Sequence, residues 1–296
     1  MSPLSLLLGA WLLAAPPPKV AWLPLARQHL VEGRLDRAVK ALQGARACWA
    51  KQGEACGFAK LDYDALLGAV YFQAGDLPKA AEALSRVLAQ DPARPALWLF
   101  LAQAHLKAER YAEAAEAFAK GEPAAEGDPV LYGLWARAHL KADAPQRALD
   151  VLRRGLDRAP GADLLRREAA LLFARLGLAR AATAEADALQ DSAERRTVLM
   201  AVASALHAAS DPLAAAEVLT QLLLRAPDDL DAAEQRARLW AVAGEPGVAA
   251  RLFRALAPRR PALCAAAADQ PRLAGDLSQA LRDNGKVTDA ARRLTQ

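Results

Sequence analysis

The residues best able to do chemistry are four histidines, His29, His105, His139 and His207, and three cysteines, Cys48, Cys56 and Cys264. Imidazole and thiolate are the common zinc ligands, and each becomes a base or a nucleophile when a second polar group activates it. Neither chemistry has its frame here. The chain holds no His-Glu-x-x-His zinc helix, no Cys-x-x-Cys pair, no Gly-x-Ser-x-Gly nucleophile turn and no glycine-rich phosphate loop. No catalytic residue, cofactor site or metal site is therefore expected, and the chain is not expected to be an enzyme. Cys48 and Cys56 flank Gln52, Gly53 and Glu54, which read as a turn between two antiparallel helices. Such a turn brings Cα atoms within the ~4.4 to 6.8 Å that a disulfide requires, and oxidising compartments preserve that bond. The alternative is that all three cysteines are small apolar residues buried in Ala-rich helices.

The elements that position these residues repeat. Small residues recur at Gly68, Ala102, Ala136, Ala170, Ala203 and Ala237, in steps of 34, 34, 34, 33 and 34 residues. A second series, Ala80, Ala114, Ala148, Ala182, Ala215 and Ala249, follows twelve positions behind. A period of this length marks a solenoid, whose units bury their apolar faces only against their neighbours. With 54% apolar but only 5% aromatic residues, Ala and Leu must supply the packing, and both are strong helix formers. In the unit from 61 to 94, a helix over 63–73 ends at Gly75, Asp76 caps a second helix, and Asp91 and Pro92 stop it. The predicted unit is helix, turn, helix, and the period argues for one elongated array. The net charge of +4, on 38 basic and 34 acidic groups, is too balanced to indicate nucleic acid.

This pattern resembles the tetratricopeptide repeat, a helical hairpin of 34 residues with bulky residues at positions 4, 7, 11 and 24, small ones at 8 and 20, and Pro at 32. Pro92, Pro160, Pro227 and Pro261 fall at the terminal Pro place, and Leu84, Phe118, Leu152, Leu219 and Phe253 take the bulky slot of the second helix. Gly33, Gly75, Gly177, Gly244 and Gly285 mark the turn. The resemblance implies an all-α, right-handed superhelical solenoid over 19–296, with seven full repeats and a truncated C-terminal one. The unit 163–195 departs from it, with Ala186 in the bulky slot and no terminal Pro. That departure is either drift or a local bend. His29, His105 and His139 share position 11, a half-buried bulky slot. Equivalent positions lie one helix spacing apart, about 8 to 10 Å, too far to share a zinc that needs ligands at ~2.0 to 2.1 Å. Trp22, Trp98, Trp135 and Trp240 likewise fall on core positions.

The resemblance also implies a concave groove lined by the first helices. Between 95 and 195 it places Gln103, Lys107, Arg137, Lys141, Arg167 and Arg175 there without an acid, and elsewhere Arg27 and Arg238 against Asp62, Asp231 and Glu234. Such a stripe favours a protein or peptide with an acidic segment. The alternative is a solvated face.

Leu4 to Ala15 is an apolar run of twelve residues followed by three prolines. It is too short to span ~30 Å of hydrocarbon and matches the core of a secretory signal peptide, so 1–18 is read as a signal peptide or short apolar segment. The expectation is a non-catalytic interaction scaffold in the periplasm or secreted, supporting a bacterial cell-envelope complex. Weak membrane association through the N-terminus and self-association at the truncated C-terminal end are further expectations. The alternatives are a cytoplasmic adaptor or co-chaperone, and a non-catalytic subunit of an envelope enzyme or transport machine.

Overall fold

A computed structural model of the chain describes residues 21–256 and 258–259. The segment read as a signal peptide, Cys264, Pro261 and the truncated last repeat lie outside the described residues. Among those described the structure is all-α, with fourteen helices and no strand. They pair as hairpins along the chain: α1 (Trp22–Val31) with α2 (Leu35–Gln52), α3 (Lys60–Gln73) with α4 (Leu77–Gln90), and α5 (Pro95–Lys107) with α6 (Tyr111–Gly121). Next come α7 (Pro129–Lys141) and α8 (Pro145–Arg158), α9 (Asp163–Arg175) and α10 (Ala179–Asp187), α11 (Ser192–Ala208) and α12 (Pro212–Arg225), and α13 (Leu230–Val242) and α14 (Pro246–Leu256). No described helix is long and apolar enough to cross a membrane.

Local chemistry sets the helix ends. The carboxylates of Asp76, Asp211 and Asp229 accept from the N–H groups of Lys79, Ala214 and Ala232 at 3.3, 3.0 and 3.1 Å, which satisfies donors that have no partner inside the helix. Each hairpin then reverses through one left-handed residue. Gly33, Gly75, Gly177 and Gly244 take it at φ between 70° and 84°, and Glu109, Asp143 and Ser210 take it at 59°, 55° and 67°. All seven occupy position 15 of their repeat, so the turn geometry is kept where glycine is not. For a residue with a Cβ this conformation costs about 1 to 2 kcal/mol.

The small-residue series are the helix crossings. Ala102, Ala170, Ala203 and Ala237 are fully buried, as are Ala80, Ala114, Ala148, Ala182, Ala215 and Ala249. At Gly68 an added Cβ would stand 2.8 Å from the Leu84 side chain, too close for any contact without movement. The bulky slot is equally consistent, since Leu84, Phe118, Leu152, Leu219 and Phe253 are all 4% exposed or less. The departing unit has a physical form: α10 is only nine residues long, Ala186 is buried at its end, and Leu189, just past the helix, is buried as well.

The described residues divide into two compact units, one running to residue 126 with 137–143, the other of 127–136 with those from 144 onward, so that the boundary falls within α7. Within the first unit α1, α2 and α3 enclose a core built on Ala26, Ala38, Ala45 and Leu42. There Arg94, the last residue of its repeat, bonds Asp62 near the start of the same repeat at 2.7 Å and Asp91 at 2.6 Å. Within the second unit the last position carries the opposite charge: Asp229 closes its repeat and accepts two hydrogen bonds, one of 2.8 Å, from Arg196 at the first position of that repeat, one place before that of Asp62.

Candidate functional site: cationic first helices

The first helices carry the residues assigned to a groove. In the first unit, Gln103 and Lys107 stand four residues apart on α5, and Arg137 and Lys141 stand four apart on α7, so each pair shares one helix face. Lys107, Arg137 and Lys141 are exposed and Gln103 is half-buried. The Lys107 ammonium sits 4.5 Å from the centre of the Phe72 ring, a cation–π contact that fixes the long side chain on the face where α3 and α5 adjoin. Phe72 is itself held edge-on by Phe100, 5.9 Å away.

In the second unit an acid from outside the groove positions meets the stripe. Arg167 on α9 bonds Glu194 in the first turn of α11 at 3.2 Å, because the next hairpin brings its own acid to that place. Glu194 was missed because it lies outside the positions the family assigns to the groove. Arg175, at the end of α9, is exposed and forms no ion pair among the described residues. The acids expected to oppose the stripe elsewhere are engaged: Asp62 with Arg94, Asp231 with Arg196 at 3.4 Å, and Glu234 with Arg238 at 2.6 Å.

The histidines divide. His29, His105 and His139 are half-buried in their shared slot, and His207 is exposed. Burial, seconded by the nearby Arg110 charge, pushes the His105 imidazole below its usual pKa, so it stays neutral and acts as a packing group. Of the tryptophans, Trp135 is 4% exposed with the Arg154 guanidinium 4.5 Å above its ring, while Trp22, Trp98 and Trp240 are half-buried. Trp22 packs against Gly44, where an added Cβ would collide with the indole ring.

Cys48 and Cys56 are disulfide-bonded, with Cα atoms 6.0 Å apart. The connection differs from the turn expected between two helices. Cys48 lies in the last turns of α2, and Cys56 ends a short 3-10 helix, Gly53–Cys56, before α3 starts at Lys60. Trp49 packs tilted against Phe58 beside the bond, at 5.5 Å between ring centres.

Paired helices with small residues at each crossing define a helical-hairpin repeat protein. Residues 71–138 match the family model of the tetratricopeptide repeat, so that stretch carries tetratricopeptide repeats, a module whose other members bind protein partners. No curated protein matches the sequence. Among solved structures, MamA from Desulfovibrio magneticus RS-1 is 16% identical with a TM-score of 0.47, over 58% of this chain and 93% of that one. PilF of Pseudomonas aeruginosa is 17% identical with a TM-score of 0.49, over 74% of this chain and 97% of that one.

Proposed function

We propose that this chain is an exported, non-catalytic scaffold of a bacterial cell-envelope complex, and that the cations on the first helices of its first unit take an acidic segment of a partner protein. The carrying observation is a contrast in pairing. Arg94, Arg166, Arg167, Arg196, Arg225 and Arg238 each hold a carboxylate. Lys107, Arg137 and Lys141 are exposed on helix faces of the same array and hold none among the described residues. An Arg offers a carboxylate two parallel N–H donors and a Lys offers a point charge, so the set suits a flexible acidic chain. Export is supported by the bond between Cys48 and Cys56, which an oxidising compartment preserves.

The test for binding is fluorescence anisotropy of a labelled Glu-rich peptide on the full chain. Arg137→Glu combined with Lys141→Glu should abolish binding without changing helicity. Raising the salt should weaken wild-type binding, since exposed charges are screened over ~8 to 10 Å at physiological ionic strength. Unchanged affinity in the double variant would reduce the stripe to a solvated face. Fractionation with N-terminal sequencing of the mature chain tests the export reading, and recovery in the cytoplasm with an intact N-terminus would reject it.

A further inference from the structure

The second unit contains a cavity of about 340 Å³ between α12, α13 and α14. That size falls at the lower end of small-molecule sites, ~300 to 1,000 Å³. Its lining is mixed: Leu223, Leu230, Leu252 and Leu256 form an apolar side, and two guanidinium groups, Arg236 and Arg259, supply much of the polar surface. Arg259 is exposed and bonds Asp228 at 3.0 Å. Arg236 differs in every respect. It occupies position 7 of its repeat, the place held by Leu67, Leu101, Trp135, Ala169 and Val202 in the five repeats before it. Four of those are buried core residues. Arg236 is half-buried, its Nε is fully buried without a hydrogen-bond partner, and it forms no ion pair among the described residues.

A buried guanidinium N–H without an acceptor costs free energy, and an apolar residue would fit this register better. The arrangement makes sense if an anion completes it. Burial also lowers the pKa of Arg236, which is the mark of a charge lacking compensation. The anion must carry an apolar stem to fill the leucine walls. The lining offers no side-chain carboxylate or amide to receive an N–H, and its hydroxyl, that of Thr220, already donates to the carbonyl of Ala216 at 2.8 Å. A peptide terminus would bring amide donors that this lining leaves unmet. We propose that the cavity binds an acyl carboxylate, with its head group on Arg236 and its chain against Leu223, Leu252 and Leu256. This site is separate from the first-helix cations and does not depend on them.

The test is isothermal titration of the full chain with octanoate below its micelle concentration, with octan-1-ol and N-acetylleucine as comparisons. One octanoate per chain is expected, binding at least about tenfold more tightly than octan-1-ol, the difference a charge-assisted contact supplies. Arg236→Met removes the charge at nearly constant volume and should fold at least as stably as wild type while losing octanoate binding. Arg236→Gln keeps a hydrogen-bonding side chain of similar length and should lose it too, which guards against a folding artefact in the first variant. Absence of octanoate binding to the wild type, or wild-type affinity retained in both variants, overturns the proposal. Tighter binding of N-acetylleucine than of octanoate overturns the acyl assignment in favour of a peptide terminus.

Discussion

Arg196, near the start of α11, donates to both carboxylate oxygens of Asp229, the residue whose side chain caps α13. Asp229 is buried to 6% side-chain exposure, whereas Arg196 remains 41% exposed. The bond from Arg196 holds the carboxyl below its usual pKa, burial opposes this, and the capped Ala232 N–H reinforces it. A carboxylate with a depressed folded pKa stabilises the fold above its unfolded value, ~3.9, and that contribution fades as pH falls through the folded value. Asn caps a helix as well as Asp does, so Asp229→Asn should remove the ion pair alone and cost up to about 1 kcal/mol at neutral pH. Urea midpoints followed from about pH 7 to about pH 3 should fall more steeply for the wild type than for the variant. Parallel curves would show that the pair contributes nothing.

Overpacking should discriminate between two alanines only six residues apart. Ala148 is fully buried at a helix crossing, and Ala142 is exposed in the turn after α7. Ala148→Leu should lower stability by about 1 to 3 kcal/mol, and Ala142→Leu should stay within about 0.5 kcal/mol of wild type. Thermal melts followed by circular dichroism measure the difference, and equal melting temperatures would contradict the crossing geometry.

Position 15 yields a pair of opposite effects. Glu109 holds a left-handed φ of 59°, so Glu109→Gly should stabilise the chain by roughly 0.5 to 1 kcal/mol. Gly75 holds φ 81° with open space around its missing Cβ, so the cost of Gly75→Ala is backbone strain alone, about 1 kcal/mol. Chemical denaturation of both variants reads the signs directly.

The disulfide should matter locally. The bonded cysteines are eight positions apart in sequence, a shorter loop than the fifteen-residue case worth about 3 kcal/mol. Replacing both cysteines with Ser should cost less than that and should act mainly at the end of α2. Hydrogen exchange confined to about residues 45–60 is the expected signature. Global loss of protection would show that the bond holds more of the fold than its place implies.

Much of this architecture was legible in residue types, because a helix crossing admits only small side chains and so marks itself in the sequence. Ala148 and Ala215 announce their places in that way. Gly75 and Gly177 announce their turns for a similar reason. Glu109 and Ser210 do not, since neither side chain signals positive φ, and Asp143 does so only weakly, through the tolerance of Asp for that region. The ion pair of Arg167 with Glu194 was hidden for another reason: it joins two hairpins, and one partner lies outside the register that defines the groove. Arg236 was legible in principle as the one cation among apolar residues at position 7 of the six repeats from 61 to 263. Its cavity needed three helices in place before it could be seen.

The reversed charges that close two of the repeats bear on how such an array changes by recombination. Arrays lengthen and shorten by unequal crossover between similar units, which joins the front of one repeat to the back of another. Joining the front of the 61–94 repeat to the back of the 196–229 repeat would set Asp62 against Asp229, and the reciprocal product would set Arg196 against Arg94. Each places like charges where the parent repeats have a bonded pair. Between these two repeats, exchange at the repeat boundary keeps each bonded pair, and exchange inside the repeats breaks both.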